Sequence, residues 1–171
     1  METNTPRRCV ATDALMAAAS RLDRLLAAWG FSFHFDGVHS SHTGPYATGH
    51  YIRDTIRISL SCRGEIDNLC YEQSFVKTSG AIREIETFTI SHQLLMQALG
   101  HADDCRLIAV NEPPNAIAAR DGGARMDALL FDLSNYAAPL LREPHEQFDE
   151  IVRTGLRCYR IGATESDHRT G

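Results

Sequence analysis

Arg53-Asp54-Thr55-Ile56-Arg57-Ile58-Ser59-Leu60-Ser61-Cys62-Arg63 runs directly into Gly64-Glu65-Ile66-Asp67-Asn68-Leu69-Cys70-Tyr71-Glu72-Gln73, and this stretch decides the fold. Ile56, Ile58, Leu60 and Cys62 alternate with Arg57, Ser59, Ser61 and Arg63, the two-residue period of a strand with one buried face. The spacing predicts a polar turn from Gly64 to Asn68 and a second strand at Leu69-Cys70-Tyr71, closing an antiparallel hairpin. Matching Leu69 and Tyr71 to the face of Ile58 and Leu60 sends Cys70 to the side opposite Cys62. A disulfide needs both Cβ atoms turned toward each other, so this pair stays reduced.

Working outward toward the N-terminus, Thr12 or Asp13 is a fitting cap for a first helix. Leu15, Leu22, Leu25, Leu26 and Trp29 then recur on one face, and Gly30 suits the C′ position. Phe31, Phe33 and Phe35 alternate with Ser32, His34 and Asp36, which predicts a short strand. The polar, glycine-containing run from Gly37 to Thr48 reads as a loop. Tyr46 to Arg53 leads into the next strand, with Gly49 allowing a bend or a close backbone approach.

Toward the C-terminus, Ser74 to Gly80 reads as a connection. Ile82, Ile85, Phe88 and Ile90 fit an extended segment or a short helix, and periodicity does not choose between them. Ser91 is an N-cap for a helix over His92–Leu99 that Gly100 stops. Pro113-Pro114 and Gly122-Gly123 break the next region, in which Leu107-Ile108-Ala109-Val110 suggests a strand. A further helix starts near Ala124, with Met126, Leu129, Leu130, Leu133, Tyr136 and Ala137 inward and Pro139 kinking or ending it. Pro144 opens a last helix through Arg153, its apolar edge being Phe148, Ile151 and Val152.

Helix, antiparallel strands, then helices is the order of an α+β domain: an antiparallel sheet with an N-terminal helix and C-terminal helices packed on one face. One domain over residues 12–162, flanked by tails at 1–11 and 163–171, suits a chain of 171 residues. The 43% hydrophobic and 23% charged composition is that of an ordinary globular protein. No apolar run approaches the ~20 residues of a membrane span, and residues 1–8 lack the apolar core of a signal peptide. Five cysteines, an odd number with no C-x-x-C spacing, fit reduced thiols and a cytoplasmic location.

Charge is uneven along the chain. Residues 1–63 carry seven arginines against five acids, a balance of +2, whereas residues 64–171 carry ten basic against seventeen acidic side chains, a balance of −7. No basic stripe is present, which argues against a nucleic-acid partner.

The run Gly44-Pro45-Tyr46-Ala47-Thr48-Gly49-His50-Tyr51-Ile52-Arg53, the hairpin, Ser91-His92 before a helix ending in Leu99-Gly100, and Leu129-Leu130-Phe131-Asp132-Leu133 together resemble a loosely related group of small bacterial cytosolic proteins, some of them similar to toxin-immunity proteins. The resemblance covers residues 12–142. It implies a bacterial, cytosolic setting and supplies no catalytic residues.

Chemistry-bearing residues gather in four places. His34, His39, His42 and His50 fall close together in sequence, and His39-x-x-His42 is a spacing that can put two imidazoles on one ion, with His50 or Asp36 as a further donor. His145-Glu146-x-x-Asp149 departs from the zinc-protease helix motif at its last member, where a second histidine is required. His101-Ala102-Asp103-Asp104-Cys105 groups an imidazole, two acids and a thiol; neighbouring carboxylates oppose a thiolate, so these read as loop residues. Ser40, Ser41, His42 and Asp36 include hydrolase residue types without the turn that frames a nucleophilic serine. No phosphate- or dinucleotide-binding glycine pattern occurs, and no cofactor is expected.

Surface charge is what remains. Glu143, Glu146, Asp149 and Glu150 lie on one expected helix and form an acidic face suited to a basic protein. The reading that follows is a protein-binding module, with toxin neutralisation as its specific form. The alternative is a small metal-dependent or hydrolytic enzyme built on His39, His42 and His50.

Overall fold

The structure, a computed structural model, describes residues 10–79, 82–107, 122–142 and 148–152. Helix α1 (Val10–Leu26) leads through a 3-10 turn (Ala27–Trp29) into five strands: β1 (Ser32–Ser41), β2 (Gly44–Arg53), β3 (Ile56–Cys62), β4 (Ile66–Ser79) and β5 (Ile82–Ser91). Helix α2 (His92–Ala98) follows. Helix α3 (Gly122–Asp132) continues through a π turn (Leu133–Ala137) into α4 (Ala138–Arg142). The strands form one antiparallel meander in the order β1-β2-β3-β4-β5. This is the α+β arrangement expected from the pattern of elements.

The alternation in β3 is realised residue by residue. Ile56, Ile58, Leu60 and Cys62 are buried, while Arg57, Ser59 and Ser61 between them are partly accessible. Ile58 pairs with Tyr71, Leu60 with Leu69 and Ser59 with Cys70, so Cys62 and Cys70 lie on opposite faces as free thiols. The turn is shorter than expected. Strand β4 already begins at Ile66, which is buried, and a register shift between Ser61 and Cys62 absorbs the extra residue.

Three other expectations are corrected. The polar run from Gly37 to Thr48 is not a loop: β1 and β2 extend through it and turn at His42-Thr43. Cross-strand pairing supplies the backbone partners that a composition-based reading did not foresee. The connection expected from Ser74 is instead the continuation of β4 to Ser79, and of the two readings open from Ile82 the strand is the one found, because β4 lies beside it as a template. Pro139 does not end its helix. A wider π turn precedes it, and such turns accommodate backbone groups that lose their regular partners. Leu107 is helical, and residues 108–110 lie outside the described residues.

Helix α1 begins at Val10, ahead of the expected cap. It buries Ala11, Leu15, Ala18, Leu22 and Leu26 against the core face of the sheet, and Tyr51 donates its hydroxyl to the carbonyl of Ala19 at 2.7 Å. Gly30 ends it in the left-handed region, with φ of 84°, as its C′ position requires. Gly49 meets the other expectation of close approach: a Cβ there would stand 2.7 Å from the Phe33 ring and 2.9 Å from the carbonyl oxygen of His34. Ser91 caps α2 by accepting the N–H of Leu94 at 3.3 Å. Among the described residues, no helix is long and apolar enough to cross a membrane.

Candidate functional site

Helices occupy one face of the sheet. The alternate residues of the strands form an opposite face that no described helix covers, and its side chains are organised into a network. A register shift between Phe35 and Gly37 makes Asp36 an extra residue in β1 and turns its carboxylate onto this face. One Asp36 oxygen bonds His50 Nδ1 at 2.8 Å, and the other accepts from Arg57 at 3.3 Å. Arg57 also reaches Glu72 at 3.8 Å, and Glu72 accepts the Ser59 hydroxyl at 2.9 Å.

The expected histidine group is thereby divided. His34 pairs with His50 across the strands and stacks on it, ring centroids 5.3 Å apart. His39 instead bonds Thr48 at 2.8 Å and lies against Tyr46, while His42 occupies the β1–β2 turn. The structure thus joins His50 to Asp36 and His34, and directs His39 elsewhere. Of the expected acidic helix, Asp149 is half-buried and Glu150 exposed, both in a helical stretch over 148–152; Glu143 and Glu146 lie outside the described residues.

At one end the sheet narrows to two strands. The β3–β4 register stops at Ile56 opposite Gln73, while β4 and β5 stay paired through Ser79 opposite Ile82. The resulting ribbon carries Val76 directly opposite Ile85, and these are 63% and 75% exposed. Two facing apolar side chains on an isolated ribbon gain little from solvent exposure, and a two-stranded ribbon alone is marginally stable in water.

The second place rich in chemistry is fully enclosed. Asp132 ends α3 on the apolar face set by Met126, Leu129 and Leu133, and its side chain is completely buried. The carboxylate accepts the backbone N–H groups of Arg106 and Leu107 at 2.9 Å each, the Cys105 thiol at 3.2 Å and His92 Nε2 at 3.3 Å. The other imidazole nitrogen of His92 bonds the Tyr71 hydroxyl at 2.7 Å. Burial by itself raises the Asp132 pKa, but the hydrogen bonds from His92, Leu107, Arg106 and Cys105 outweigh it and hold the carboxyl below its ordinary value. Burial and the nearby Asp132 charge push the Tyr71 phenol well above its usual range.

Cys105 lies in the connection after α2, as expected of a loop residue, but it is buried and belongs to this group. His101 turns away from it, stacking on Tyr136 with centroids 4.3 Å apart, and Asp103 and Asp104 are exposed. Among the described residues, His92, Cys105 and Asp132 are a set whose ligand atoms all lie within 4.8 Å of one another. The arrangement is not that of a cysteine hydrolase, in which an imidazole stands between thiol and carboxylate. Here the carboxylate is central and receives the thiol proton as a hydrogen bond, which opposes nucleophile formation. Asp132 and His92 were legible only as a charged residue on an apolar helix stripe and a histidine just after an N-cap. Neither signal identifies the other, forty positions away.

No protein-family model matches the chain, and neither a curated protein nor a solved structure matches it.

Proposed function

We propose that this chain is a cytoplasmic protein-binding module that grips a protein partner with the β4–β5 ribbon and the adjoining open sheet face. The observation that carries the reading is the facing pair Val76 and Ile85, both strongly exposed on a ribbon that has outrun its sheet neighbour. Exposed apolar groups beside an organised polar surface match the make-up of an interface, with an apolar anchor and a polar rim. The −7 balance after residue 63 favours a basic partner by steering its approach. Neutralisation of a basic toxin is the specific form of this reading, supported by the sequence resemblance and by that charge.

The test is capture of the partner from the native host, followed by binding kinetics of purified components. Val76→Asp with Ile85→Asp is expected to weaken affinity by at least about tenfold, the size of one strong interface anchor, at an unchanged urea midpoint. Glu146→Lys with Glu150→Lys is expected to slow association, most strongly at low salt. Unchanged affinity in the ribbon variant removes the ribbon from the interface. Unchanged association in the charge-reversed variant removes Glu146 and Glu150 from the interface.

A further inference from the structure

We infer that His92 Nε2, Cys105 Sγ and Asp132 Oδ2 form a binding site for a single zinc-class divalent ion. Zinc takes nitrogen, sulfur and oxygen donors in a tetrahedral arrangement, with bonds of about 2.0 Å to nitrogen and oxygen and about 2.3 Å to sulfur. Neighbouring donors of such a site then stand roughly 3.3–3.6 Å apart. The imidazole nitrogen and the carboxylate oxygen are 3.3 Å apart, the thiol sulfur and the same oxygen 3.2 Å, and all three donors lie within 4.8 Å of one another. At the two edges that share the carboxylate oxygen, the ion requires adjustments of only tenths of an ångström.

Charge and burial agree with the geometry. The three residues are 3%, 2% and 0% exposed, in that order. A divalent ion held by one thiolate, one carboxylate and a neutral imidazole makes a net-neutral group, the form of charge that a dry interior tolerates. The second Asp132 oxygen is held by the Arg106 N–H, and Leu107 N–H bonds the ligating oxygen, so the carboxylate is oriented by the backbone before any ion arrives.

Tyr71 completes the arrangement. Against an acceptor-only carboxylate, His92 Nε2 must carry a proton in the ion-free state, and a neutral ring then accepts the Tyr71 hydroxyl proton at Nδ1. Ion binding displaces the Cys105 thiol proton to solvent and transfers the imidazole proton from Nε2 to Nδ1. The Tyr71 oxygen becomes the acceptor of that proton. A hydroxyl serves either tautomer, as a partner behind a metal-bound histidine should.

The experiment uses the full-length chain, stripped with a chelator and titrated with Co²⁺ as an optical stand-in for Zn²⁺. Expected are saturation at one equivalent, a sulfur-to-cobalt charge-transfer band with tetrahedral ligand-field absorption, and a thermal midpoint raised by several degrees. Cys105→Ser should lose the charge-transfer band and Cys70→Ser should keep it. Tyr71→Phe should weaken the ion about 10–100-fold. X-ray absorption of the wild-type Zn²⁺ complex, which does not depend on any variant folding, should show one sulfur among nitrogen and oxygen ligands. The inference is overturned by no saturable binding at one equivalent, by two or more sulfur ligands, or by a charge-transfer band that survives in Cys105→Ser.

Discussion

His92 Nε2 lies 3.3 Å from Asp132 Oδ2, with the two side chains 4% and 0% exposed. One residue opens the helix that follows β5, and the other closes a helix that begins thirty residues later. Their meeting ties both helices to the segment at Arg106-Leu107, whose N–H groups the same carboxylate receives. A buried carboxylate with four donors is stable as a set and costly to break singly.

Removing that carboxylate is therefore expected to be among the most damaging single changes in the protein. Asp132→Ala strands two backbone N–H groups and the His92 imidazole in the interior. A loss of about 3–5 kcal/mol is expected from urea unfolding. A midpoint close to wild type would show that the segment around Arg106 finds other partners.

The core face of β3 makes a contrasting pair of substitutions informative. Ile58→Asp gives up a fully buried side chain and places an unpaired charge there, for a cost of about 4 kcal/mol or more. Arg57→Ala, one residue away on the open face, forfeits only part-exposed ion pairs with Asp36 and Glu72, for about 0–1 kcal/mol. Comparable losses in the two variants, by chemical denaturation, would contradict the assignment of faces.

Gly49→Ala tests the close approach of β1 to β2. The added methyl would meet both the Phe33 ring and the His34 carbonyl at under 3.0 Å, and backbone cannot move aside as a side-chain tip can. Overpacking of this kind is expected to cost about 1–3 kcal/mol. Gly64→Ala, where nothing lies within 4 Å, is the matched control and should change little.

Cys62 should set part of the alkaline limit of stability. Burial, followed by the charge of Asp67, pushes its thiol up from 9.0 to about 12. Folding thus favours the protonated thiol, and its contribution is complete below pH 9 and lost as pH rises from 9 toward 12. Cys62→Ala should flatten the decline of the urea midpoint between pH 9 and pH 10. In native protein at neutral pH, iodoacetamide should modify partly accessible Cys70 ahead of buried Cys62. An alkaline decline of identical slope in the two proteins would assign it to other groups, the buried phenols of Tyr51 and Tyr71 among them.

Local periodicity carried the reading wherever one side of an element is buried. Ile56 to Cys62 named their own face, Leu15, Leu22 and Leu26 theirs, and Ser91 and Gly30 the ends of their helices, because burial alternation and capping act over a few neighbouring residues. The turn end of the β1–β2 hairpin escaped that reading: Ser40-Ser41 of β1 and Gly44-Pro45 of β2 are strand residues only because each run pairs with the other. The same holds for function. An α+β protein with one apolar sheet face, an acidic C-terminal half and unpaired thiols at Cys62 and Cys70 could be read from local pattern and composition. It took the folded chain to place His50 with Asp36, Val76 and Ile85 on one exposed ribbon, and His92, Cys105 and Asp132 together. Each of those meetings joins residues from different elements, and the register and packing that bring them together are properties of the whole chain rather than of any short run within it.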